Sequence, residues 1–191
     1  MKFLSIVAQA SLLALPLSIE ASPVDITKGV SARSAAYKSQ LVRRDCPSQE
    51  TIDSYVASFG GVGASTVFYT ATNGDDDELE RVKKFAGDVG GVWYESAVSA
   101  DQIDIWDEEC TDDEVLSNVL STRVSIAIAK LATGTTYVLL GKNAISSTST
   151  WVQSEYPILN GKSDVNIVAV NLANTEQKQD PYVAHQNPWQ S

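Results

Sequence analysis

One stretch narrows the possible folds more than any other. Leu116, Val119, Leu120, Val124, Ala127, Ile128 and Leu131 recur at three- and four-residue spacings, the apolar stripe of a core-facing helix. Thr111-Asp112-Asp113-Glu114 precedes the stripe as a capping box, and Gly134 closes it. The pattern then changes at once to Thr136-Tyr137-Val138-Leu139-Leu140, a strand. A chain organised around that pair layers helix on sheet.

The neighbouring segments extend the theme. Asp45 to Ser58 reads as a helical or irregular lead-in, stopped at Gly60-Gly61. Thr66-Val67-Phe68-Tyr69 is a β-branched and aromatic run typical of a buried strand. After Asn73-Gly74 a second helix starts, with Asp75 as its cap and Glu78 three residues on. Leu79, Val82, Phe85 and Ala86 share one face of it, and Glu80 is spaced to pair with Lys84. Gly87 to Gly91 ends it. Val92-Trp93-Tyr94 reads as a short strand ending at Glu95, followed by an acidic loop. Ser149 to Tyr156 and Val165 to Val170 read as two further strands, and the polar tail 176–191 as loosely ordered. The expected fold class is α/β: a small single domain with a mixed, mainly C-terminal β-sheet and two principal helices.

The first 44 residues carry processing signals. Lys2 and the mostly apolar run from Phe3 to Leu17 predict a secretory signal peptide over 1–21. Residues 22–44 predict a pro-segment, because Arg43-Arg44 stands immediately before Asp45-Cys46 as a dibasic cleavage site of the fungal secretory type. The expectation is a secreted, extracellular protein.

Charge and cysteine content exclude several functions. Residues 1–44 hold six of the 14 basic and two of the 24 acidic residues, which leaves eight against 22, a net of −14, for the remainder. Such a surface argues against nucleic acid or an anionic membrane as the main partner. One His and two Cys make most zinc sites and any His-dependent triad improbable. Cys46 and Cys110 are the only cysteines, so a bridge formed on export has one connectivity. Closing a loop of about 65 residues stabilises a fold by about 4 kcal/mol in the chain-entropy model.

Two glutamates stand out by context. Glu95 follows Trp93-Tyr94, and Glu155 lies inside a strand-like pattern before Tyr156-Pro157. A carboxylate beside aromatic strands sits at an edge or has a function, because burying it uncompensated is unfavourable. By residue type alone both readings stay open.

The order of segments adds a further reading. Val67-Phe68-Tyr69-Thr70, Gly91-Val92-Trp93-Tyr94-Glu95-Ser96, the helix Ser125-Ile126-Ala127-Ile128-Ala129-Lys130-Leu131-Ala132 and Ser149-Thr150-Trp151-Val152-Gln153-Ser154-Glu155-Tyr156 come in sequence. That succession, over roughly residues 60–172, resembles the ADP-ribosyl cyclase/cyclic ADP-ribose hydrolase family, which cleaves the nicotinamide–ribose bond of NAD. The resemblance implies an ADP-ribosyl cyclase-like fold, with residues 45–175 as the NAD-cleaving domain.

It also implies roles. Glu155 matches the catalytic glutamate that stabilises the oxocarbenium-like transition state, and Glu95 the acidic residue near the nicotinamide. Tyr69, Ser125, Thr150 and Trp151 match substrate-binding positions. Tyr69 stands where the family has its first active-site Trp, and Ser121 where it has the second. Trp106 or Trp93 is the candidate replacement for that second ring. The implied activity is an NAD glycohydrolase giving ADP-ribose, with some cyclic ADP-ribose possible. NAD is then the substrate, and neither a metal nor another cofactor is called for. The alternative is a non-enzymatic secreted effector or binding protein that keeps the fold and acts on an unknown host or target-cell protein.

Overall fold

The computed structural model describes residues 46–59, 61–110 and 114–191, with the backbone alone at 114–118. The leader, the pro-segment with Arg43 and Arg44, and the capping box at Thr111 lie outside the described residues.

The chain runs α1 (Gln49–Phe59), β1 (Ser65–Thr70), α2 (Asp76–Val89), α3 (Tyr94–Ala97), α4 (Ala100–Glu109), α5 (Glu114–Leu131) and β2 (Gly134–Leu140). A π-helical turn (Trp151–Glu155) leads directly into α6 (Tyr156–Asn160), and β3 (Val165–Asn171) and β4 (Asn174–Gln179) complete the fold. The expected class is correct: the protein is α/β with a mixed sheet. Strands lie in the order β1-β2-β3-β4, with β1, β2 and β3 parallel and β4 antiparallel to β3.

Strand alternation divides the apolar residues between two faces. Phe68, Val138, Leu140 and Ala169 point to the larger core, where α1, α5 and the π turn supply Ile52, Val56, Leu120, Val124, Ile128 and Trp151. Val67, Leu139, Val168 and Val170 point to the other side, against Val82, Phe85 and Ala86 of α2. Both faces of β1 and β2 are thereby covered, as a parallel pair requires.

Polar contacts fix α5 at the centre. Lys162 donates from Nζ to the carbonyls of Lys130 at 2.7 Å and Ala132 at 2.5 Å, satisfying the C-terminal end of the helix. Arg123 donates to the Pro47 carbonyl at 2.6 Å, beside the Cys46–Cys110 disulfide, which pairs as expected. α2 begins as expected, with Asp75 accepting from the Glu78 amide at 2.9 Å. Its ion pairs differ: Glu80 pairs with Lys83, and Lys84 with Asp88.

Five further expectations are corrected. Ser149 to Tyr156 is not a strand. Ser149 caps the segment by accepting from the Val152 amide, and Tyr156 donates its amide to the Trp151 carbonyl five residues back. That wide turn packs Trp151 against Tyr156 with tilted rings at 5.8 Å, and Pro157 fits the first turn of α6. The β-like composition reflects burial of aromatics, which a π turn also achieves.

Val92-Trp93-Tyr94 makes only a single bridge, between Val92 and Thr66. The Ser96 hydroxyl then accepts from the Trp93 amide at 2.9 Å and turns the chain into α3, so Glu95 is helical. The acidic loop is α4, started by Ser99 accepting from the Gln102 amide. With α1 and α4, four helices reach ten residues, not two. The tail is ordered as well: Asn174–Gln179 is the edge strand β4, and Tyr182 and Asn187 are buried. An edge strand solvated on both faces is as polar as a loop, and Lys178 lies over the rings of Phe85 and Tyr137.

Candidate functional site

The carboxyl ends of β1 and β2 open into a cavity of about 570 Å³. In open α/β sheets this is where ligands bind, because the strands end there and only loops and helix ends remain to build a wall. The volume falls within the range of small-molecule sites.

Two backbone features shape the mouth. Ala71, just past β1, adopts a left-handed conformation with φ 59°. Gly141, just past β2, donates its amide to the Thr70 carbonyl at 3.0 Å. A side chain at Gly141 has no room, since a Cβ there would stand 2.3 Å from the Ala71 oxygen. The two strand ends thus close on each other at a glycine. Asn143 continues the bridge, with its amide on the Ala71 carbonyl at 3.1 Å and its side chain on the Thr72 carbonyl at 3.2 Å.

Among the described residues Glu155 is the one charged residue in the lining, and it is only 5% exposed. The π turn places it: the turn anchors on the buried Trp151 and aims the fifth residue at α5, where Ser125 donates a hydrogen bond to its carboxyl. Burial pushes the Glu155 pKa up to about 7, and the Ser125 bond draws it back part of the way.

Two phenols line the same cavity. Burial raises the pKa of Tyr69, and the charges of Glu155 and Glu95 raise it further. Tyr94 is pushed up to about 12, by burial first and then by Asp107, Tyr69 and Glu95. Both rings therefore remain neutral donors at physiological pH. The rest of the wall mixes apolar side chains, among them Phe68, Ile128 and Trp151, with the hydroxyls of Thr70, Ser146, Ser149 and Thr150, and Thr122 and Thr150 are joined at 3.4 Å.

Five of the six residues expected to bind or act on substrate line this single cavity: Glu155, Tyr69, Ser125, Thr150 and Trp151. They come from β1, α5 and the 149–155 segment. Trp151 contributes a fixed wall and not a free stacking surface. It is 1% exposed, packs against Phe68 at 5.9 Å, and donates its indole N–H to the Tyr182 hydroxyl at 3.2 Å.

Glu95 does not line the cavity. It lies exposed on α3, close enough to shift both tyrosines but outside the wall, because the expected strand is a helix there. Ser121 does line it. Neither candidate ring takes over at that position: Trp106 packs edge-on against Tyr55 at 5.1 Å in the main core, and Trp93 joins the cluster under α2. The second aromatic of the site is Tyr94, which sequence reasoning had used only to build a strand. Asn143, Ser146 and Ser149 were also missed, and their polar loop composition carried no signal.

No protein-family model, curated protein or solved structure matches this chain.

The geometry alone limits the chemistry. Among the described residues no group of three or more His, Cys, Asp or Glu is placed to hold a metal ion. Among the described residues no Lys, Arg or His lines the cavity, so ionised Glu155 has a hydroxyl partner there and no counter-ion. A buried carboxylate in that state is unfavourable by itself and becomes favourable when a cation arrives. Chemically, such a carboxyl is suited to a ligand that brings positive charge to it or develops charge beside it.

No helix among the described residues is long and apolar enough to cross a membrane.

Proposed function

We propose that this cavity is the active site of an NAD glycohydrolase with an ADP-ribosyl cyclase-like fold, acting outside the cell. The observation that carries the reading is the placement of Glu155. A lone buried carboxyl, bonded by Ser125 and walled by Tyr69 and Tyr94, faces a cavity without cationic side chains. The ordered resemblance to the ADP-ribosyl cyclase family supplies the substrate that suits such a carboxyl.

NAD carries its positive charge on the nicotinamide ring, attached to C1′ of a ribose. With that half in the cavity, the cation stabilises Glu155 as the carboxylate. The bond from C1′ to the ring nitrogen then breaks heterolytically, and its electron pair goes to the nitrogen, leaving neutral nicotinamide. Positive charge moves to C1′ and the ring oxygen of the ribose. An anion fixed beside that centre lowers the barrier, because it stabilises the transition state more than the ground state. Water adds to C1′ and loses a proton to give ADP-ribose. Tyr69 and Tyr94 are suited to stack on nicotinamide, and the hydroxyls of Ser125 and Thr150 to orient the ribose diol.

Cyclisation needs the adenine folded back onto C1′ between aromatic walls. Ser121 offers no ring, and Trp106 and Trp93 are committed to the core, so hydrolysis is the favoured outcome. The test is nicotinamide release from NAD by the purified protein, with the ADP-ribose and cyclic products separated by chromatography. Release with mainly ADP-ribose supports the reading. No release from folded, oxidised protein would leave the resemblance as one of fold and favour a binding role.

A further inference from the structure

The last eleven residues hold one wall of the cavity in place. Asn187 is buried, at 8% exposure, and its side-chain nitrogen donates to the carbonyl of Gly141 at 2.7 Å and to that of Asn143 at 2.8 Å. The Ser191 amide donates to the intervening carbonyl, Lys142, at 3.0 Å. Three consecutive carbonyls of the β2 exit loop thus find their donors in the C-terminal segment. Asn187 is itself fixed from behind, since its side-chain oxygen accepts from the Trp189 amide at 3.0 Å.

The same segment reaches the other side of the site. The Tyr182 hydroxyl accepts from the Trp151 indole at 3.2 Å and from the His185 amide at 3.0 Å. Tyr182 also packs edge-on against Trp151 and Tyr156, at 5.7 and 5.6 Å. Two features of the cavity therefore lean on the tail: the loop whose Asn143 bridges to Ala71 and Thr72, and the turn that aims Glu155.

We infer that Asn187 is a positioning residue for the cavity, holding the 141–144 wall where a ligand meets it. The bonds of this buried side chain go to two carbonyls of the loop and to the Trp189 amide. Both its protons are spent on the wall, and left unpaired those carbonyls would loosen the loop. The inference takes the cavity as the NAD site, but one of its two readouts is independent of that reading.

The experiment compares Asn187→Ala and Asn187→Asp with wild type, by amide hydrogen exchange and by steady-state kinetics on NAD. The Asp variant has the same shape and keeps the acceptor for Trp189, but it turns an oxygen toward two carbonyl oxygens. Both variants are expected to speed exchange across 141–146 by about tenfold or more, with strand β1 unaffected. Both are expected to raise KM for NAD about tenfold with kcat within about twofold of wild type, the signature of lost binding geometry. Two results would overturn the inference: an Asp variant indistinguishable from wild type, or exchange that accelerates equally throughout the chain. If wild type leaves NAD intact, the exchange pattern still decides the role of Asn187, and only the reading of the site fails.

Discussion

Ser125, on the central helix, donates its hydroxyl to Glu155, on the π turn, and that bond opposes the burial that raises the carboxyl pKa to about 7. If catalysis needs the carboxylate, kcat/KM for NAD rises with pH along a limb centred near that value. Ser125→Ala removes a bond that favours the charged form, so its limb moves to higher pH. The pH–rate profiles of the two proteins check this. A limb that stays in place in the variant would separate Ser125 from the carboxyl's titration.

The same carboxyl sets a pH dependence of stability. Its folded pKa, about 7, lies above its ordinary value of 4.5, so between those values the native state holds a proton that the unfolded state has released. Stability from this group is fully present below about 4.5 and is lost as pH rises to about 7. Glu155→Gln removes the effect. The melting temperature of the variant relative to wild type is therefore expected to climb across that window and then level off. A shift of this size corresponds to about 3 kcal/mol. Parallel melting curves at pH 4.5 and 8 would contradict it.

If nicotinamide stacks on the two phenols as proposed, their rings matter more than their hydroxyls. Tyr69→Phe and Tyr94→Phe are expected to keep KM for NAD within about threefold, whereas the Ala variants raise it about tenfold, as loss of one aromatic contact implies. Trp151→Phe should differ in kind. Its indole is buried and bonded to Tyr182, so thermal stability falls more than substrate affinity. Titration calorimetry on an inactive background, together with melting curves, separates the two effects.

Gly141 marks where the cavity mouth is tightest. Gly141→Ala drives a methyl against the Ala71 carbonyl, where backbone and not a flexible side chain must move. The expected result is a stability loss of about 2 kcal/mol, with the strand ends pushed apart and KM for NAD raised. Gly87→Ala is the control, since a Cβ there meets nothing within 4 Å in the helix α2. It should be neutral or slightly stabilising.

Much of this architecture was legible in the chain, and the errors share a cause. Helices with a clear stripe and cap, at 76–89 and 114–131, and strands with uninterrupted β-branched runs, at 65–70, 134–140 and 165–171, could be read directly. At Trp151–Tyr156 the residues are strand-like because they are buried aromatics, and burial is common to strands and to a wide helical turn. In Asn174–Gln179 the reverse holds: an edge strand exposed on both faces has no apolar period to detect. α4 was hidden because Ile103, Ile105 and Trp106 are scattered among acidic residues, and only Ser99 signals its start.

The site shows the same division. An ordered set of segments singles out Glu155, Tyr69, Ser125, Thr150 and Trp151, and the fold brings these five to one cavity. Tyr94 and Asn143 reach the cavity only through the turn after Val92 and the close approach at Gly141, which are facts of three dimensions. Glu95 was misplaced for the same reason, since one extra helical turn carries it out of the wall.

The central claim rests on Glu155, and one measurement tests it most directly: nicotinamide release from NAD by purified wild type and by Glu155→Gln, with binding of NAD followed in parallel. The expected result is release by wild type, a loss of at least about a hundredfold in kcat for the variant, and NAD binding retained. Full turnover by a folded Glu155→Gln protein would contradict the account, and so would a wild type that neither binds nor cleaves NAD.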